Sequence, residues 1–139
     1  MKSRFFTLAM AAFLALSVQS CGKYEEGPGL SFRSKKARVA GTWKQSKLSY
    51  NGQDVPLDDD DKDDQMILDK DGGVELVDPG NSTQKGTWSF ASDKEAIKFV
   101  YGSGGSTSTT EFKIMRLANK EMILELDDSG DKIRIEYTQ

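Results

Sequence analysis

Histidine is absent from all 139 residues. Its absence excludes Ser-His-Asp and Cys-His catalysis, imidazole general bases and histidine metal ligands. Only one cysteine is present, Cys21, so neither an intrachain disulfide nor a Cys-rich zinc site can form. Proline is scarce, with three residues against thirteen glycines, a balance that fits tight turns rather than a proline-rich segment. A basic surplus is also missing. The 19 Lys and Arg face 22 Asp and Glu, a net charge of −3, which argues against nucleic acid as a partner. No apolar run reaches the roughly 20 residues of a membrane-spanning helix. The length leaves room for one domain.

The first 20 residues read as a targeting segment outside the fold. Lys2 and Arg4 form a short positive start, and Phe5 to Val18 is uncharged and mostly apolar. Length and flanks fit a secretory signal peptide over 1–20. Val18-Gln19-Ser20-Cys21 resembles the lipobox of bacterial lipoproteins: an aliphatic residue, a small residue before the cut, then cysteine. That resemblance implies cleavage before Cys21, a diacylglycerol thioether on its sulfur and a palmitate-type acyl chain on the new amine. At about 0.8 kcal/mol per buried CH₂, such chains would hold the protein to the membrane. Cleavage removes Lys2 and Arg4 and no acid, so the lipid, not a basic patch, must do the anchoring.

Gly22 stands where an aspartate retains lipoproteins in the inner membrane. The expected location is therefore the outer membrane, facing the periplasm or the cell surface. Lys23-Tyr24-Glu25-Glu26 is similar to the Lys-then-acidic signals of surface lipoproteins, and equally to a solvated spacer. Residues 21–30 are expected to be a lipidated flexible tether ending in Gly27-Pro28-Gly29.

Ser31 to Ala40 is expected to hold one or two helical turns, with Ser31 as N-cap and Gly41 as the stop. Beyond Gly41 the helical period is lost. Short β-rich runs are predicted at 42–50, 65–70, 73–78, 83–90, 95–101, 108–117, 120–127 and 131–137, parted by turn residues. Asn51-Gly52 and Asp71-Gly72 supply the positive φ of tight hairpins, and Asp128-Ser129-Gly130 is a further turn. Ile97, Phe99 and Tyr101 alternate with Ala96, Lys98 and Val100. Met122, Leu124 and Leu126 alternate with Glu121, Ile123 and Glu125. One apolar and one polar face is the mark of a half-solvated antiparallel sheet. Short links leave no room for crossovers, and closing the sheet removes its two exposed edges. The predicted fold is all-β: an antiparallel eight-stranded up-and-down meander barrel over 31–138, preceded by a short N-terminal helix.

Gly41-Thr42-Trp43, at the start of the first strand and straight after the helix, is similar to the Gly-x-Trp signature of lipocalins. With the lipobox and Arg33-Ser34-Lys35-Lys36-Ala37-Arg38-Val39, the chain resembles small lipocalin-like lipoproteins of Gram-negative bacteria. The resemblance implies that Trp43 packs across a closed barrel end plugged by the helix. In lipocalins a late arginine often covers this tryptophan. Arg134 is the candidate by position, although its alternation points outward. A second Gly-Thr-Trp, at Gly86, Thr87 and Trp88, marks either an internal half-repeat or a coincidence of common strand residues.

The run Asp58-Asp59-Asp60-Asp61-Lys62-Asp63-Asp64 is expected to be a flexible acidic loop over the barrel mouth. It lacks the Gly and Glu offsets of a calcium-binding loop, so no metal site and no cofactor is assigned. There, acids would repel anionic ligands and attract cationic ones. No carboxylate stands alone in an apolar setting and no base accompanies the hydroxyls of 103–110, so an enzyme is not expected. Two functions follow. One is a membrane-anchored lipocalin-like protein that binds a small hydrophobic or amphipathic ligand. Its candidate lining is Trp43, Trp88, Phe90, Phe99, Tyr101, Phe112, Met122 and Leu124. The other is an envelope structural or protein-interaction lipoprotein whose barrel is filled by side chains. An eight-stranded barrel is compatible with either.

Overall fold

The computed structural model describes Tyr24, Glu25, residues 32–80 and residues 82–139. The residues read as a signal peptide and a lipobox with Cys21, together with Ser31 and most of the stretch read as a tether, lie outside the described residues.

Helix α1 (Lys35–Val39) precedes strand β1 (Gly41–Tyr50), as the sequence leads one to expect. The cap is Ser34, whose Oγ accepts from the Ala37 amide at 3.1 Å. The helix is thus one short turn. Phe32, just before the cap, is fully exposed. After β1 come β2 (Gln53–Val55), helix α2 (Asp59–Asp63), β3 (Gln65–Leu68), β4 (Gly73–Val77) and β5 (Thr83–Ala91). The remaining strands are β6 (Ala96–Ser103), β7 (Ser106–Leu117), β8 (Glu121–Asp128) and β9 (Asp131–Thr138).

Every pairing is antiparallel, β1 pairs with β3, each strand from β3 onward lies beside the next, and β9 returns to β1 to close the ring. The barrel is therefore the eight strands β1 and β3 to β9. Strand β2 is a short addition, hairpinned onto β1 through Asn51 (φ 49°) and Gly52 (φ 80°), a pair suited to that turn. Two register shifts, between Gln45 and Lys47 on β1 and between Ile114 and Arg116 on β7, add the local twist that a small closed sheet needs.

The acidic run is helical, which corrects its reading as a flexible loop. Asp58 caps α2 by accepting from the Asp61 amide at 3.1 Å, and Lys62 bridges back to Asp59 at 2.8 Å. Aspartates in a first helical turn complement the helix dipole, so the run carries its own folding signal.

The two Gly-Thr-Trp triplets are not repeats of one unit. Strand β1 leaves the helix-covered end of the barrel, whereas β5 runs towards it, so the motifs lie in opposite directions. Both serve the same end. Trp43 Nε1 donates to the Val39 carbonyl at 2.7 Å, tying α1 to β1. Trp88 Nε1 donates to the Asp69 carbonyl at 2.8 Å, pinning the β3–β4 turn.

That end is closed. Val39, Trp43, Leu117 and Met122 are completely buried there. The buried arginine at this end is Arg38 of α1, whose Nη1 donates to the Leu117 carbonyl at 2.5 Å. Arg134 lies on the outer face, 3.6 Å from Glu136, as its alternation indicates, and does not take the covering role.

Part of the stretch expected to be a flexible tether is held on the same end. Tyr24 is buried, its hydroxyl donates to the Lys94 carbonyl at 2.8 Å, and the Lys35 ammonium sits 4.5 Å from its ring centroid. Burial pushes the Tyr24 phenol up to about 12, and Arg38 opposes the shift. Glu25 pairs with Lys113. The anchoring carbonyl belongs to the β5–β6 turn, where Ser92, Asp93 and Lys94 all adopt positive φ.

Candidate functional site

The barrel interior is graded. Inward-facing positions follow the register: Trp43 and Gln45 on β1, Met66 and Leu68 on β3, Val74 and Leu76 on β4, with Gly86, Trp88 and Phe90 on β5. Strands β6 to β9 add Ile97, Phe99, Tyr101, Phe112, Ile114, Met122, Leu124 and Tyr137. Near the closed end these side chains leave no exposed surface. Trp43, Ile97, Leu117 and Met122 are each 0% exposed. Towards the other end the seal loosens. Leu76, Tyr101, Phe112 and Tyr137 pack against the core but stay partly exposed, while Phe90, also partly exposed, lies near Lys36 of α1 at the closed end.

All eight residues expected from the sequence to line the interior face inward. Trp43, Trp88, Phe99, Met122 and Leu124 are buried in the packed core, and Phe90, Tyr101 and Phe112 lie at its partly exposed margin. Aromatic contacts knit this layer. Trp88 meets Phe90 edge-on at 5.5 Å, Phe99 meets Phe112 edge-on at 5.9 Å, and Phe99 stacks on Tyr101 at 6.4 Å.

The recess at the mouth is built from other residues. Strand β3 covers only Gly41 to Lys44 of β1, and beyond it α2 packs beside the strand. In the gap lies a space of about 230 Å³. Met66, Leu76 and Tyr137 form its apolar floor, and Gln45 and Gln65 offer side-chain amides. Asp64, at the end of α2, and Asp78, just past β4, stand at its rim. Desolvation raises the Asp64 carboxyl above the usual carboxylate range, with Asp78 the next cause. Burial pushes the Tyr101 phenol up to about 12, and the Tyr137 phenol higher still, with Tyr101 adding to the shift.

Sequence reasoning missed this set. Tyr137 and Leu76 were legible from alternation, since Tyr137 shares a face with Ile133 and Ile135. Met66 was not, because a four-residue strand after an acidic run shows no period.

Two larger hollows, of about 450 and 400 Å³, lie on the outer wall. Each already holds an ion pair. Lys132 meets Glu125 at 3.0 Å in the first, and Arg116 meets Glu121 at 2.7 Å in the second. Among the described residues, no group of three or more Cys, Asp or Glu side chains is arranged to hold a metal ion. No described helix is long and apolar enough to cross a membrane.

Residues 39–124 match the family model of the lipocalin-like domain. Among curated proteins, none matches the chain. Two crystal structures of Bacteroides proteins are similar in fold. A lipocalin-like protein from Bacteroides uniformis ATCC 8492 has 18% identity and a TM-score of 0.51, over 70% of this chain and 96% of its own. An uncharacterized protein from Bacteroides eggerthii DSM 20697 has 17% identity and a TM-score of 0.51, over 72% of this chain and 98% of its own. The closed eight-stranded meander, the helix across one end and the family match over most of the barrel agree, and the chain belongs to the lipocalin-like domain family.

Proposed function

We propose that the protein is a membrane-anchored lipocalin-like binding protein that takes a small hydrophobic or amphipathic molecule at the mouth of its barrel and works without a chemical step. The observation that supports this reading is the graded interior: a dry, filled lower half beneath a recess with an apolar floor and polar rim. Small-molecule sites share that mixture of apolar lining and few polar groups. The recess falls below the about 300–1,000 Å³ of drug-sized pockets, so the ligand is small or only partly enclosed.

Both tryptophans sit near the closed end, so their fluorescence is a poor reporter of the mouth. Displacement of an environment-sensitive dye, read against fatty acids, sterols and quinones and backed by native mass spectrometry, is the suitable test. Displacement by at least one class is expected. Silence across the panel, with no small molecule carried through purification, would favour the second reading, an interaction protein with a filled barrel. The fully buried side chains of the lower half favour that alternative.

Anchoring rests on the lipobox residues and on Cys21 as the sole thiol. The outer membrane is the proposed location, on the strength of Gly22. Cys21→Ser is expected to move the protein from the membrane pellet to the soluble exported fraction. Recovery of the variant in the pellet at wild-type levels would overturn the anchor.

A further inference from the structure

The recess between β3, β4 and α2 carries a charge pattern that its apolar floor does not require. Asp64 and Asp78 both stand at its rim, and neither forms an ion pair among the described residues. Asp58, Asp60 and Asp61 add further negative potential around Asp64. The one lysine of the run, Lys62, is engaged by Asp59. Tyr137 lines the recess with its ring packed against the core. The floor beneath offers Met66 and Leu76, one soft and one aliphatic, and the tyrosine ring presents a π face. Two unpaired carboxylates above an apolar floor are complementary to a molecule with a positive head and an apolar body.

We propose that this recess selects amphipathic cations: an ammonium between Asp64 and Asp78, an apolar body on Met66 and Leu76, and an acceptor atom or π contact at Tyr137. The inference rests on the reading of the barrel mouth as a small-molecule site and adds the sign of the ligand's charge. An ammonium paired with carboxylates in a partly desolvated site gains more than it would in water. A carboxylate in the same place meets like charge and no donor but the tyrosine and the amides.

The test uses the mature chain and three probes of equal tail length, each below its micellar concentration: octyltrimethylammonium, octanol and octanoate. Calorimetry at low salt is expected to show the cation binding at least tenfold more tightly than either of the others. Asp64→Asn with Asp78→Asn should remove that preference, bringing cation and alcohol within about twofold, while octanol binding stays. Asp60→Asn with Asp61→Asn, on the exposed side of α2, should change the preference by less than threefold. Thermal melts check that each variant is folded. Equal binding of all three probes overturns the charge preference and leaves the small-molecule site standing. An equal loss from the Asp60 and Asp61 pair overturns the rim assignment in favour of diffuse attraction. Failure of all three probes to bind overturns the site itself.

Discussion

Trp43→Ala is expected to lower the free energy of unfolding by about 3–5 kcal/mol, the range for truncating a fully buried large aromatic. In a domain of this size that is a fall in Tm of more than about 10 °C. Two losses combine. The indole is 0% exposed at the floor of the barrel, so its removal opens a cavity among side chains that cannot all collapse into it. Its Nε1 also donates to the Val39 carbonyl, and without that bond α1 loses one of its ties to β1. Trp43→Phe should lose less, since it keeps much of the ring and forfeits the hydrogen bond. Urea denaturation of both variants checks the order. A wild-type midpoint for Trp43→Ala would sink the assignment of Trp43 as the closing side chain.

A single methyl group is expected to act almost as strongly at Gly86. A Cβ there would stand 2.3 Å from the Val100 carbonyl oxygen and 2.7 Å from Cδ1 of Tyr101. The first is backbone on the paired strand and cannot give way without opening the β5–β6 ladder. The glycine is required because Tyr101, its cross-strand partner, lays its ring over the gap. Gly86→Ala should therefore destabilise by about 3 kcal/mol, the upper end for overpacking. Gly102→Ala is the control. Its nearest contact is 3.9 Å away, so a change within about 0.5 kcal/mol is expected. Adding Tyr101→Ala to Gly86→Ala should recover only part of the loss, because the carbonyl clash stays. A Gly86→Ala protein as stable as the Gly102→Ala control would show that the strands are less closely set than described.

The barrel was legible because its strands repeat every two residues and end in turn residues with positive φ. Ile97, Phe99 and Tyr101 on β6 and Met122 and Leu124 on β8 face inward as their alternation indicates. Strand β2 and helix α2 were not legible. A three-residue strand has no period to detect, and a run of aspartates looks solvated until Asp58 is seen to cap the turn. The recess at the mouth was harder still. Its members come from β1, α2, β3, β4 and β9, and closing the ring, which brings Tyr137 opposite Gln45, is a contact between the two ends of the domain. Aromatic content led to the packed floor, because large apolar side chains fill a core first. The open part is marked by what remains unpaired.

The docking of Tyr24 sets a direction. Two residues, Gly22 and Lys23, separate it from Cys21, so the three chain steps reach about 10 Å at full extension. Tyr24 is fastened beside the helix-covered end, through Lys94 and Lys35. With lipid on Cys21, the barrel would stand on the bilayer like a cup on its base, its rim turned outward. A molecule would then reach the rim from the aqueous side, not by sliding out of the leaflet below, and the distance of the rim from the lipid would be set by the height of the barrel instead of the slack in a leash.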